Sequence, residues 1–487
     1  MKNKGFTLVE LLAVIVVLSI IALIGYSTVG NIISSSQDSS NKITINNYAK
    51  AVDQTIFLYQ MNNNDSTLPE LNKDWLKENV KFEKSAVECE YATYDKTSSL
   101  YGCKVNNNEK TYCYTNNEVT ECNKNKLSKI YGNSIQNGTP TPTSPVEIQS
   151  VGEKTKNLLN ASLWKTSVTN NGITVEYLED EDCFLLNGTA TTAIDFAAKY
   201  INIPNVPGTS YVLSAKYVSG SIDRTNGSGN KYAVAYLGNA DTINTTNNWH
   251  SIHLQNQDVT GSVKVNNKNY ITRFWFYVSL GVKFDNYKVK IQLEEGNVAT
   301  SYEPYGYKIP ITVSNGSDTK TTNIYLKEPL RKVGEYADYL DLTNKKVVRN
   351  VKELILNGTE NWTKYTSVNN HYQLIVGDNY FSRDTNSILS NYYIQGVSGS
   401  YNSSLNYAVI SADANRIRFK DKDISTIEDW KNKLVGYADS NKPLKVIYQL
   451  ANETEESVEI PSIPELSEGQ KCEDFYKVNG ANIECGY

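Results

Sequence analysis

Hydrophobic and polar positions fall into three regimes along the chain. From Phe6 to Tyr26 almost every position is apolar, and Glu10 is the one charge. As a helix these residues rise about 31 Å, the thickness of a bilayer's hydrocarbon core, which predicts a membrane-spanning helix. Lys2 and Lys4 precede the run and keep its short head on the cytoplasmic side. From 27 to 62 the pattern changes to one apolar stripe, Ile43, Tyr48, Val52, Ile56 and Tyr59 with Ala49 at its side, so the helix is expected to continue over 6–62. Beyond it the spacing drops to two. Ser210–Tyr217, Lys231–Tyr236 and Tyr287–Glu294 alternate, the last with Tyr287, Val289, Ile291 and Leu293 facing inwards. Short alternating segments between Gly and Asn turns predict β-sandwich or jelly-roll modules.

The expected fold is therefore α+β. A long N-terminal helix carries a small head at 63–130, followed by two mostly antiparallel β-sandwich, jelly-roll-like modules at 131–310 and 311–465. A closing segment, 466–487, is expected to complete the head. Within the head, Asp65–Glu70 reads as a loop and Asp74–Lys77 as a short helix. The run Asn137–Pro145 is rich in Pro and Thr, and each proline biases its predecessor away from helix, predicting an extended linker. Ser425-Thr426-Ile427-Glu428 has the form of a capping box, with Trp430 and Leu434 on one face of the helix that follows. Leu356-Asn357-Gly358-Thr359 echoes Leu186-Asn187-Gly188-Thr189, which reads as a turn shared by the two modules.

Length alone predicts two to four domains. The net charge of −5 leaves no nucleic-acid footprint, and no direct nucleic-acid binding is expected. An abundance of Asn, Thr, Ser and Tyr (35 tyrosines) suits exposed β-structure. In an exported chain the cysteines read as disulfides. Cys89, Cys103, Cys113 and Cys122 allow three pairings, of which Cys89–Cys103 with Cys113–Cys122 closes the shortest loops. Cys472 and Cys485 would close a tight C-terminal loop, worth about 3 kcal/mol in the chain-entropy account. Cys183 is left over. A zinc site would want a C-x-x-C pair, and the sequence has none.

Lys4-Gly5-Phe6-Thr7-Leu8-Val9-Glu10 resembles the processing site of type IV pilins and pseudopilins. The resemblance implies that a membrane peptidase cuts after Gly5, removing a leader at 1–5, and methylates the new terminus, Phe6. Glu10 would then pair with the terminal amine of a neighbouring subunit. The physics agrees, because a carboxylate inside an apolar span is expensive without a partner. An ordinary signal peptide is cut after its apolar run, whereas this motif precedes it. The implied partners are prepilin peptidase, other pilin subunits and the membrane. The implied location is the cell membrane as a single-pass protein, then an extracellular pilus. A second resemblance lies further on. Asn137–Pro142, Pro145–Ile148 and Lys156–Leu159 look like the start of modules in bacteriophage tail proteins. Gln292–Gly296 with Ala299–Gly306 resembles the closing strand of their carbohydrate-binding-like jelly rolls. Over roughly 135–465 this implies surface recognition.

Candidate chemistry concentrates in Arg273-Phe274-Trp275-Phe276-Tyr277-Val278. On a strand, Phe274, Phe276, Val278 and Leu280 face the core, leaving Arg273, Trp275 and Tyr277 on the opposite face. Aromatic rings beside a hydrogen-bonding cation suit a sugar's apolar face and hydroxyls, and Trp249 is a further candidate. The competing reading is a face covered by neighbouring structure. His250 and His253 point apart on a strand and cannot share an ion. The acidic run 176–182 offers oxygen ligands for a structural calcium, against the commoner reading of a solvated turn. No phosphate loop, G-x-S-x-G or H-E-x-x-H occurs, so no enzyme and no other cofactor is expected. The function expected is a minor type IV pilin displaying an adhesive β-module for surface glycan or host matrix. The alternatives are a pseudopilin of a competence or type II-like secretion machine, and a pilus-tethered glycan hydrolase.

Overall fold

A computed structural model describes residues 8–487 apart from 64–67, 83–85, 107–109, 123, 204–208, 227–230, 239–248, 265–270, 316–317, 366–369, 377–386, 397–403, 412–415 and 467–471. For 8–32 it describes the backbone alone. The chain forms two compact units. The first is Met1–Lys126 with Glu465–Cys472 and Cys485–Tyr487, and the second is Leu127–Pro464 with Glu473–Glu484.

The first unit is built on the helix Leu8–Asn63. No proline interrupts it, so the backbone ladder runs unbroken. Ile45, Tyr48, Ala49, Val52 and Ile56 are buried at helical spacing against Leu100, Cys103, Val105 and Tyr112 of an antiparallel sheet. Ile43, expected in this stripe, is 62 % exposed, because two residues turn a helix by about 200° and Ile45 already faces the sheet. The sheet runs in the order Val87–Glu88, Thr97–Val105, Tyr112–Thr115 and Glu118–Glu121, with Tyr91–Asp95 also paired to Thr97–Val105. Asp53 on the helix accepts a hydrogen bond from the Ser98 amide at 2.7 Å, fixing the sheet's register along the helix. Among the described residues no helix is long and apolar enough to cross a membrane; the span expected over 6–26 lies outside those with described side chains.

Late residues complete this unit. The Leu466 amide donates to the Asn125 carbonyl, and the Asn125 amide donates to the Gly486 carbonyl. The Tyr487 ring lies against Gly102, where a Cβ would come within 2.8 Å of it. Disulfides join Cys89 to Cys103, Cys113 to Cys122 and Cys472 to Cys485.

The second unit is mostly β, and two large hydrophobic cores stand out among its described residues. Around the first core lie a six-stranded and a four-stranded sheet. The larger has the order Val168–Asn170, Ile173–Leu178, Cys183–Thr189, Lys283–Glu295, Ser210–Asp223 and Val259–Lys264. The smaller has the order Ile194–Ile203, Ile271–Val278, Ala233–Gly238 and Trp249–His253. Trp164 bridges them, its ring 5.4 Å from both Phe184 and Phe274. Its indole N–H donates to the Ala197 carbonyl, so the buried dipole is satisfied. Leu280 departs from expectation. The strand ends at Val278, and Leu280 stands 42 % exposed in the turn that follows.

The second core gathers on Trp430, whose ring is within 5.5 Å of Trp362, Tyr372 and Phe419. Its helix is Ile427–Asp439, capped by Thr426, whose hydroxyl accepts from the Asp429 amide at 3.1 Å. The capping pair is thus Thr426 with Asp429, one residue later than expected. The Thr426 backbone is extended, and it therefore sits at the position just before the first turn.

Two further expectations change. Residues 137–147 are not a linker but the loop of a hairpin between Ser134–Gln136 and Ile148–Ser150. Thr141 and Ser144 exchange backbone hydrogen bonds, and the Tyr437 hydroxyl donates to the Pro142 carbonyl. The two Leu-Asn-Gly-Thr segments also differ. Leu186–Thr189 lies inside a strand at a bulge, whereas Asn357 and Gly358 form a turn whose amides donate to Glu360.

At the bulge, Gly188 has φ +112°, and a Cβ would meet the Gly172 carbonyl oxygen at 2.0 Å. Gly188→Ala should therefore destabilise the second unit by more than the roughly 1–3 kcal/mol of backbone strain alone. Gly296→Ala, at φ +135° with nothing within 4 Å, should lose only that strain. Urea unfolding of the two variants checks this ordering.

Candidate functional site

The residues expected to govern processing lie at the chain's start. Gly5 and Phe6 fall outside the described residues, and Glu10 lies in the helix Leu8–Asn63, its side chain outside them too.

The aromatic candidates belong to the four-stranded sheet. Alternation sends Phe274, Phe276 and Val278 into the core, with Arg273, Trp275 and Tyr277 on the other face. The neighbouring strand pairs Tyr236 with Trp275 and Gly238 with Arg273, and the next pairs Trp249 with Gly238. The register therefore sets Arg273, Gly238 and Trp249 in one row; the Trp249 side chain lies outside the described residues.

Trp275 is not an open platform. It is 5 % exposed, stacked on Tyr236 with centroids 5.2 Å apart and planes 14° apart. The Arg273 guanidinium lies 5.4 Å from its ring, and its indole N–H donates to Asp195 Oδ1 at 2.9 Å. A ligand on this face would meet Tyr277, Tyr232 and Arg273, with Trp275 holding the surface behind them. The Tyr236 hydroxyl has its pKa raised by burial. Tyr232 and Tyr236 were within reach of the sequence, since both lie in the alternating segment Lys231–Tyr236. Asp195 gave no signal, because it reaches Trp275 from a strand 80 residues away.

The acidic run ends in an exposed turn at 179–182, whose carboxylates also make ion pairs and hydrogen bonds. Glu179 meets Lys165 at 2.8 Å and Lys327 at 2.9 Å, and both interactions lower its pKa. Glu181 meets Lys288 at 2.6 Å. Asp182 accepts from the hydroxyls of Tyr177 and Tyr302, whose pKa values are raised by burial first and by that carboxylate second. The three carboxylates thus turn to separate partners. Among the described residues no group of three or more His, Cys, Asp or Glu is placed to hold a metal ion. Cys183 is a free, buried thiol whose pKa burial raises.

The two segments of the second resemblance come together at the module's closing strand. Asn157 Oδ1 accepts from the amides of Leu159 and Leu293. Glu294, 1 % exposed, accepts from the Thr300 amide and hydroxyl and from the Gln292 amide group. Gln292 in turn accepts from the Glu303 amide at 2.7 Å. These polar residues close the module and present nothing to a ligand.

Because Trp275 is buried, Trp275→Ala should cost about 3–5 kcal/mol of stability. A urea midpoint equal to that of the unsubstituted protein would instead show that the indole is dispensable to the fold.

Comparison with curated proteins gives no match. Residues 1–26 match the family described as the prokaryotic N-terminal methylation motif. That match supports a type IV pilin-like or pseudopilin protein, anchored in the membrane, processed by prepilin peptidase and assembled with other pilins.

Proposed function

We propose that this protein is a minor type IV pilin that carries an adhesive β-module. It is cut after Gly5, methylated on Phe6 and drawn into a filament by Glu10. The observation that carries this reading is the methylation motif at 1–26 joined to one continuous helix, Leu8–Asn63, whose second half packs on a small disulfide-bonded sheet. The bulk of Leu127–Pro464 argues for a minor subunit, since repeating it at every position would crowd a closely packed filament. The two sheets around the first core form a jelly-roll-like sandwich. With Arg273, Tyr277 and Tyr232 on its outer face, this sandwich supports recognition of surface glycan or matrix rather than catalysis. No cofactor is required for that role.

Mass spectrometry of the mature protein should show a chain beginning at methylated Phe6. Removing one partner of a buried charge pair costs about 3–5 kcal/mol. Glu10→Ala should therefore leave cleavage intact while reducing incorporation into sheared filaments roughly tenfold or more. A mature chain still beginning at Met1, or normal incorporation of the variant, would refute the assignment. Recovery with a secretion or DNA-uptake complex, in the absence of filaments, would favour a pseudopilin.

A further inference from the structure

Two open cavities flank the Tyr232–His253 ring pair on the four-stranded sheet. The first, about 460 Å³, is lined by Thr191, Thr192, Tyr232, Tyr277, Ser279 and Leu280. The second, about 470 Å³, is lined by Arg224, His253, Gln255, Asn256 and Gln257. The rings of Tyr232 and His253, 5.1 Å apart, stand between them, one in each lining. Both are open to solvent along the sheet surface rather than enclosed. The register pairs Tyr277 with Val234 and Val234 with His253. Together the cavities follow one row across three strands, roughly 10 Å. That is a groove for a short chain of units rather than a pocket for one.

Its described lining is polar and uncharged but for one guanidinium, Arg224. Hydroxyls come from Thr191 and from Thr192, which accepts from Asn171, and amides from Gln255 and Gln257, which share one hydrogen bond; all four residues are exposed. Tyr277 and Tyr232 supply aromatic rings. Among the described residues lining either cavity, none is Asp or Glu. Arg224 donates through Nε to the Lys231 carbonyl and through Nη2 to the Leu254 carbonyl, so two of its donor groups are used within the fold. The position of Tyr232 is set in advance. Its amide donates to Ser279 Oγ at 3.0 Å, and its carbonyl accepts from the Ser279 amide at 2.9 Å. Rings placed beforehand, with neutral donors and acceptors around them, suit a polyol that offers C–H faces and hydroxyl edges.

We infer that this groove binds a linear neutral oligosaccharide, with sugar rings stacked on Tyr277 and Tyr232 and hydroxyls bonded to the Thr and Gln side chains. The inference rests on the surface-recognition reading above and moves the contacts away from Trp275. Single-stranded nucleic acid also stacks on tyrosine, but it needs a positively charged track, which this groove lacks.

The test is affinity electrophoresis of full-length protein in detergent. The gels contain galactomannan, glucomannan, xylan or mixed-linkage β-glucan, with pectate and oligothymidylate as anionic probes. At least one neutral polysaccharide should retard the protein. Tyr277→Ala and Tyr232→Ala should each weaken retention roughly tenfold, the order expected for loss of one stacked ring. Thr191→Lys, at an exposed rim position, should block the groove without touching the core. Tyr200→Ala should change nothing, because Tyr200, 73 % exposed, pairs with Arg273 at the other end of the face. If a neutral polysaccharide retards every groove variant like the unsubstituted protein, the groove assignment falls and glycan recognition stands. If no polysaccharide retards the unsubstituted protein, glycan recognition falls and the groove with it. Retardation by the anionic probes alone overturns the neutral ligand.

Discussion

The strand Lys283–Glu295 is buried on both faces from Ile291 to Glu294, and the first core depends on how each face is satisfied there. One face carries Tyr287, Val289, Ile291 and Leu293 into the apolar core. The other carries Gln292 and Glu294, each 1 % exposed, and a carboxylate taken from water that far must find donors or destabilise the fold. It finds them in Thr300 and Gln292, while Asn157 locks the module's opening segment to the same strand. A slip of one position would carry the Glu294 carboxylate into hydrocarbon.

Much of this was legible from periodicity. Helical spacing finds the face carrying Tyr48, Val52 and Ile56, and spacing of two finds the inward residues of Lys283–Glu295. Periodicity is weaker at the ends of elements. Ile43 is as apolar as Ile45, and only the sheet decides which of them is covered. The Pro/Thr-rich stretch looked like a linker because proline disfavours helix. A hairpin loop satisfies the same restraint, and the Tyr437 hydroxyl that fastens it comes from nearly 300 residues away. The capping pair shifted by one because Ser425 and Thr426 are chemically equivalent, and backbone conformation chooses between them.

The candidate face divides in the same way. Alternation alone separates Arg273, Trp275 and Tyr277 from the core, since it depends on one strand. Whether Trp275 is open depends on Tyr236 and Asp195, both placed by long-range register. His253 attracted attention as half of a metal pair; the sheet gives it a ring partner, Tyr232, instead. The N-terminal methylation motif was legible for another reason. A short linear motif read by an enzyme at the membrane needs no tertiary context.

The first unit includes Glu465–Cys472 and Cys485–Tyr487. Those residues are synthesised only after the whole of Leu127–Pro464, so the helix and its sheet leave the ribosome long before the segments that complete them. Until translation has passed the large β-region, Gly102 has no Tyr487 ring beside it and Asn125 has neither of its backbone partners. A chain interrupted anywhere in between carries a visibly unfinished first unit. The order of synthesis thus leaves the first unit waiting for its last segments until the large β-region has been made.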